Sequence, residues 1–359
     1  MSKRFVVIMA GGKGERFWPQ SRLRRPKHLL PIVGDAPMLS QTVDRLEGLV
    51  SPEDVFVITN AEQREAVLES CPKLLPERVI GEPQGRDTAA AVGLAALLVD
   101  QAYSGAAFAL LPADHVIIDG AGFRAVLEGA FEAAEAGDSL VTIGIKPDFP
   151  STGYGYLKRG EVTRSTSQPV HRVERFVEKP NLEKAEEYIE EGGYFWNAGM
   201  FVWRPSVILS AIQKHAPELS SGLDELSQSW ERSGSITEAM QQVYPNLQKI
   251  SIDFAVMEKA EGVVMLESAF DWDDVGEWPA IARHYPADGD GNVFKGTGVA
   301  MDSSGNLSYA EKGHTISLLG VKDLIVVQSG DATLVCHKDY AQQVKGLAQK
   351  VCEQDPSLA

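Results

Sequence analysis

The chain has 359 residues, 44% hydrophobic and 23% charged, with a formal net charge of −16. That length exceeds what one compact core usually absorbs, so one large domain with a smaller companion is expected, and the ordinary apolar content excludes a largely disordered chain. Such an acidic chain is a poor general binder of nucleic acid, it contains no run of about 20 apolar residues to span a membrane, and three scattered cysteines, Cys71, Cys336 and Cys352, suit neither a disulfide framework nor a zinc site. The first apolar run is too short for a signal peptide and lacks a cleavage site, so a reducing cytoplasm is the expected location.

In chain order, residues 5–9 read as a buried strand that runs into Ala10-Gly11-Gly12-Lys13-Gly14-Glu15-Arg16-Phe17-Trp18-Pro19. Three glycines in four positions let backbone N–H groups approach an anion closely, and Lys13 and Arg16 add cationic donors. The spacing is neither a dinucleotide fingerprint, since Phe17 stands where the last glycine belongs, nor a P-loop, since no Gly-Lys-Ser/Thr follows. Arg22, Arg24, Arg25 and Lys27 make the following segment basic, which suits a small polyanion or a solvated loop.

A helix is predicted over 38–49, a strand over 55–59, a helix over 61–70 and, after a short strand, a helix over 88–101 whose N-cap is Asp87 or Thr88. Strands over 108–111 and 140–145 flank a helix over 123–136. This alternation predicts βαβ units: a mostly parallel, Rossmann-like α/β sheet with helices on both faces and ligands beyond the carboxyl ends of its strands. The strand 108–111 ends in Asp114, which by itself is a turn cap or a metal ligand. From 153 to 276 the pattern loosens, with strands over 172–177 and 198–203 and helices over 182–191 and 206–215. Short strands with close turns at 303–305 and 329–331, then a helix over 340–352, predict a small β unit. The expected domains are 1–287 and 288–359.

The order Gly-Gly-x-Gly-x-Arg-x-x-Pro, then Arg25-Pro26-Lys27, resembles the signature of sugar nucleotidyltransferases. The longer wording from Val7 to Arg22, with Pro26-Lys27-His28-Leu29-Leu30-Pro31-Ile32, resembles the mannose-1-phosphate guanylyltransferases in particular. The likeness implies a Mg²⁺-dependent transfer of guanylyl from GTP to mannose 1-phosphate by in-line attack, without a general base, in a homodimer; the alternatives are another pair, glucose 1-phosphate with dTTP, UTP or ATP, or a non-catalytic regulatory relative. It implies nucleotide contacts from Gly11, Gly12, Lys13 and Gly14, and catalytic roles for Arg16 and Lys27, whose replacement by Ala is expected to lower turnover without unfolding the chain. Glu82-Pro83-Gln84-Gly85-Arg86-Asp87-Thr88 corresponds to the base segment, giving Glu82, Gly85, Asp87 and Thr88 as further nucleotide contacts. Asp87 and Ala90 stand where the family has Asn and Pro. Asp114 and, in Asp271-Trp272-Asp273-Asp274-Val275-Gly276, Asp274 correspond to the metal ligands; Gly155, Glu178, Lys179, Asn197 and Asp253 correspond to the sugar-phosphate pocket. For Asp253 a wall-orienting role is an equal alternative. The likeness also implies a short, left-handed β-helix-like tail. Longer members carry a cupin-type isomerase domain; the chain stops before one, so a single activity is expected.

Overall fold

The structure is a computed structural model that describes residues 3–12 and 14–358. Its first five strands are β1 (Arg4–Ala10), β2 (Val55–Asn60), β3 (Val79–Glu82), β4 (Ala107–Pro112) and β5 (Leu140–Ile145). They are followed by β6 (Tyr156–Ser165), β7 (Pro169–Val177), β8 (Tyr194–Trp203) and β9 (Val263–Glu267). Together they form one sheet in the order β3-β2-β1-β4-β8-β5-β9-β7-β6. The β3-β2-β1-β4 half is parallel, and β8 enters antiparallel between β4 and β5.

The apolar runs of the central strands are continuous because both faces are covered. Alternate residues of β1 enter opposite layers: Phe5 and Val7 pack on one side, Val6 and Ile8 on the other. The first layer is completed by the Ala-rich helix Asp87–Ala102 and by helices Pro205–His215, Pro217–Ser233 and Ile236–Val243. The second is filled largely by helix Gly120–Glu135. The helix predicted over 38–49 stops at Asp44; beyond it the hydrogen bonds tighten to three-residue spacing (Leu46 N to Val43 O, 3.0 Å) and Gly48 takes φ +85°.

The tail adds β10 (Val293–Lys295), β11 (Thr297–Met301), β12 (Leu307–Ala310), β13 (Thr315–Leu319), β14 (Leu324–Ser329) and β15 (Ala332–His337). β10, β12 and β14 stack in parallel and β15 closes them antiparallel, while β11 pairs with β13. The chain thus alternates between two parallel ribbons, the coil of a β-helix. At one corner Asn306 donates from Nδ2 to Asn292 Oδ1 (2.8 Å) and accepts at Oδ1 from Leu324 N (2.9 Å), so buried amides bridge successive coils. Helix Val344–Gln354 returns to the sheet domain. A third core, including Phe17, Trp18 and Trp278 with Tyr309, Ile325 and Val344, is common to both units. No helix among the described residues is long and apolar enough to cross a membrane.

Candidate active site

β1 and β4 are parallel neighbours, so the turns that leave them emerge side by side. Ala113 N donates to Met9 O (3.0 Å), which puts Asp114 beside the Gly-rich turn. Gly14 sits at φ +61°, and a Cβ there would lie 2.7 Å from Lys27 Cβ and 2.8 Å from Lys27 N. Only glycine allows the turn to close over Lys27.

Lys27 is buried, and its ammonium donates to Asp114 Oδ2 (2.8 Å), Asp114 O (2.9 Å) and Asp274 O (2.7 Å). An ammonium has three hydrogens, so the group is fully used as a clamp between the two acidic turns. Contact with a phosphate requires Lys27 to share one of these bonds. Asp274 is brought across the sheet by a backbone bridge in which Val116 N donates to Asp273 O (2.8 Å) and Asp273 N to Val116 O (3.1 Å). The two adjacent acids differ sharply. Asp273 is buried and accepts from Arg283 Nε (2.8 Å) and Nη2 (2.7 Å), contacts His284 Nε2 (2.9 Å) and accepts from Val275 N (2.8 Å). Burial raises its pKa, but these partners win and hold it at about 2. Val275 takes φ +43°, a strained value for a β-branched residue, and turns Asp274 into the cleft.

Burial also pushes the Asp114 carboxyl up, and opposing effects led by the charge of Lys27, with its hydrogen bond, more than offset it, to about 2. Asp114 is therefore ionised at neutral pH. Asp114 uses Oδ2 for Lys27, and Asp274 uses Oδ1 to accept from Tyr154 OH (2.6 Å). Among the described residues Asp114 Oδ1 and Asp274 Oδ2 carry no hydrogen bond. Two hard oxygen donors on one cavity suit a divalent cation that keeps most of its waters. No larger cage of three or more His, Cys, Asp or Glu side chains occurs among the described residues.

Asp114 is where two cavities meet. One, of about 330 Å³, is lined by Gly14, Arg16, Lys27, Asp114 and Asp274 with Glu15 and Lys345. The other, of about 450 Å³, is lined by Gly11, Gly12, Glu82, Gly85, Asp87 and Thr88, with Asn60 and Lys249. Glu82 is buried, accepts from Tyr244 OH, and has its pKa raised to about 7, by burial against the opposing Tyr244 hydrogen bond. Asp87 stands at φ +65° and accepts from Thr88 N at Oδ1 (2.8 Å), so it opens the following helix by bending back on itself. Thr88 spends its hydroxyl as acceptor from Ile252 N (2.8 Å), tying this wall to the segment that carries Asp253.

The sugar-side residues form their own cluster. Asn197 Nδ2 donates to Asp253 Oδ1 (3.2 Å), while its Oδ1 accepts from Thr142 Oγ1 (3.0 Å) and Gly199 N (3.2 Å). A Cβ on Gly155 would lie 2.5 Å from Glu178 Oε2 and 3.3 Å from Asn197 Cβ. Lys179, at φ +48° and exposed, donates to Glu178 Oε1 (2.8 Å). Burial, and then the charge of Glu178, raises the Asp253 carboxyl to about 7. Tyr154 joins this cluster to the metal side through Asp274.

The structure thus gathers Arg16, Lys27, Asp114 and Asp274 in one cavity and the Gly11 and Glu82 to Thr88 segments in the next. Lys13 lies outside the described residues. Sequence reasoning missed Tyr154, Tyr244, Lys249, Lys345 and Arg45, whose Nη2 donates to His115 O (2.9 Å) and fixes the turn after Asp114. Tyr154 stands directly before Gly155, which was expected in the sugar-phosphate pocket; the others belong to no motif and come from distant segments.

Residues 5–290 match the nucleotidyl transferase family model, and residues 296–351 match the mannoseP isomerase/GMP-like beta-helix domain. The chain is 39% identical over 355 residues to a mannose-1-phosphate guanylyltransferase of Escherichia coli (strain K12), covering 98% of this chain and 74% of that protein. It is 38% identical over 358 residues to mannose-1-phosphate guanylyltransferase ManC of Salmonella typhimurium (strain LT2), covering 98% and 73%. A crystal structure from Thermus thermophilus, described as a mannose-1-phosphate geranyltransferase, superposes with a TM-score of 0.86 at 39% identity, over 97% of this chain and 99% of that one. On these matches the chain belongs to the nucleotidyl transferase family and, within it, to the mannose-1-phosphate guanylyltransferases.

Proposed function

We propose that the chain joins GTP to α-D-mannose 1-phosphate, releasing pyrophosphate and GDP-mannose. The observation that carries this reading is the meeting of two cavities at Asp114, one lined by Arg16 and Lys27 and the other by Glu82 and Asp87, with the Asn197–Asp253 cluster joined to them through Tyr154 and Asp274. The triphosphate occupies the first cavity and the nucleoside the second, where carboxylates at Glu82 and Asp87 can accept from the N–H edge of guanine. Gly11, Gly12 and Gly14 offer backbone donors, Gly85 and Thr88 shape the wall, and Arg16 grips phosphate oxygens.

The sugar sits between Gly155, Glu178, Asn197 and Asp253, with Lys179 at its phosphate. A phosphate monoester has a second pKa of about 6, so at neutral pH its oxygen is already a nucleophile and no side chain need remove a proton. The protein's work is to hold two anions in line and screen them from each other. Asp114 and Asp274 hold Mg²⁺, which when bound offsets charge on the triphosphate. The location we propose is the cytoplasm, which suits the unpaired Cys71, Cys336 and Cys352. The homodimer we propose pairs through the outer ribbon of the tail, where Val299, Met301 and Leu319 are exposed; light scattering in solution measures it.

The test is pyrophosphate release across GTP, ATP, UTP, CTP and dTTP, each with mannose 1-phosphate or glucose 1-phosphate, with and without Mg²⁺. The expected result is at least a tenfold preference in kcat/KM for GTP with mannose 1-phosphate, abolished by chelation. Preference for another pair, or release that survives chelation, overturns the corresponding part of the reading.

A further inference from the structure

The cavity that receives the triphosphate in this reading has one wall from the far end of the chain. Lys345, in the first turn of helix Val344–Gln354, lines it together with Arg16, Lys27, Asp114 and Asp274. Its ammonium lies 2.9 Å from Glu15 Oε2, in the Gly-rich turn itself. The Lys345 side chain is 53% exposed and that of Glu15 30%, so the pair sits at the open rim and not in the core.

The charges explain why this cation matters. Among the described lining residues, Arg16, Lys27 and Lys345 face Glu15, Asp114 and Asp274. Lys27 spends all three hydrogens on Asp114 and Asp274. Arg16 and Lys345 are therefore the described lining cations with donors to offer a polyanion. Glu15 is the wrong sign for such a ligand and is tolerable there only while paired.

We infer that Lys345 is a polyphosphate-binding residue: the C-terminal helix supplies a cation to the triphosphate cavity, and Glu15 holds that cation in place until phosphate oxygens compete for it. The inference rests on the proposed function only for where the triphosphate lies. On ligand entry the exposed ammonium turns from Glu15 to share its hydrogens with the terminal phosphates, while the fully bonded Lys27 keeps the acidic turns together. The small β unit then takes part directly in nucleotide binding.

The experiment compares wild type, Lys345→Met, Lys345→Arg and Glu15→Gln by calorimetric binding of inorganic triphosphate and of GTP, with thermal melting alongside. One charge-assisted hydrogen bond corresponds to a change on the order of tenfold in Kd. Lys345→Met is expected to weaken both ligands about tenfold and to leave the KM for mannose 1-phosphate within about twofold; Lys345→Arg should keep most of the affinity. Glu15→Gln is expected to bind as tightly as wild type or tighter, because it frees the cation. If Glu15→Gln and Lys345→Met are equally impaired, the pair is only a strut and the inference fails. It fails equally if Lys345→Met binds triphosphate normally. Because inorganic triphosphate carries neither base nor sugar, these outcomes are independent of whether wild type prefers GTP and mannose 1-phosphate.

Discussion

Residues that look alike as motif positions do different work. Arg16 is exposed and lines the cleft, whereas Lys27 is buried and bonded to both acidic turns. We therefore predict replacement without loss of stability for Arg16 and a loss of stability for Lys27. Arg16→Ala should lower kcat/KM by about one to two orders of magnitude, the worth of a lost charge-assisted contact, with an unchanged melting temperature. Lys27→Met should lower kcat and also melt several degrees earlier, because it strands the Asp114 carboxylate beside an apolar side chain. Equal melting of the two variants would show that the clamp does not stabilise the fold. Asp253 supplies a pH signature. With its pKa raised to about 7, by burial and then by Glu178, the folded state holds this proton more tightly than the unfolded chain does. The resulting stability is complete below the ordinary carboxylate range and lost as pH rises through about 7. The melting temperature of wild type minus that of Asp253→Asn should thus fall by on the order of 1 °C between pH 6 and pH 8. A constant difference would mean that the carboxyl titrates normally.

At the scale of elements, two glycines of the site leave little room for a side chain. Gly14→Ala drives a methyl group to within 2.7 Å of Lys27 Cβ at a φ of +61°, and Gly155→Ala drives one to within 2.5 Å of Glu178 Oε2. The first should disturb phosphate binding and raise the KM for GTP. The second meets a side chain at close range and should raise the KM for mannose 1-phosphate by about tenfold while leaving that for GTP unchanged. Steady-state kinetics with each substrate varied in turn separates them, and identical profiles would contradict the division of the site into two ends. Why some elements were legible in the sequence and others were not follows from where their side chains go. β1, β2, β4 and β5 are covered on both faces, so each reads as a mostly apolar run. β6 has buried residues chiefly at its start, Tyr156 and Leu157, and then projects polar residues from a hairpin with β7, so no period marks it. Helix Pro217–Ser233 carries a legible signal, since Leu219, Leu223 and Leu226 recur at helical spacing behind Pro217. Within the site, residues fixed by a strand end, such as Asp114, could be placed from the sequence. Lys249 and Lys345 could not, because their nearness to the cleft depends on how distant segments pack.

For the whole molecule, we propose that the expected division at 287 and 288 does not mark a change of folding unit. Trp278 lies in the sheet domain, donates from Nε1 to Trp18 O (3.2 Å), and meets the Tyr309 ring of the β-helix edge-on at 5.3 Å. Phe17, which follows the Gly-rich turn, packs on the same Trp278 at 5.2 Å. Polar ties reinforce this core: Trp18 Nε1 donates to Leu358 O (3.2 Å), Gln20 Nε2 to Glu311 Oε1 (3.1 Å), Arg22 Nη2 to Asp331 Oδ1 (2.8 Å) and Gln342 Nε2 to Glu277 Oε2 (2.6 Å). A fragment ending at residue 287 would uncover Phe17, Trp18 and Trp278, and each large aromatic side chain returned to water costs about 2 to 3 kcal/mol. That sum is a large part of the stability of a typical domain. The full chain should therefore unfold in a single calorimetric transition with equal calorimetric and van't Hoff enthalpies. The 1–287 fragment should aggregate or bind a hydrophobic dye, and should lose nucleotide turnover even though it retains Arg16, Lys27, Asp114 and Asp274. Two resolved transitions, together with a soluble and active fragment, would show instead that the β-helix is a separable attachment and that the core around Trp278 contributes little to the shape of the site.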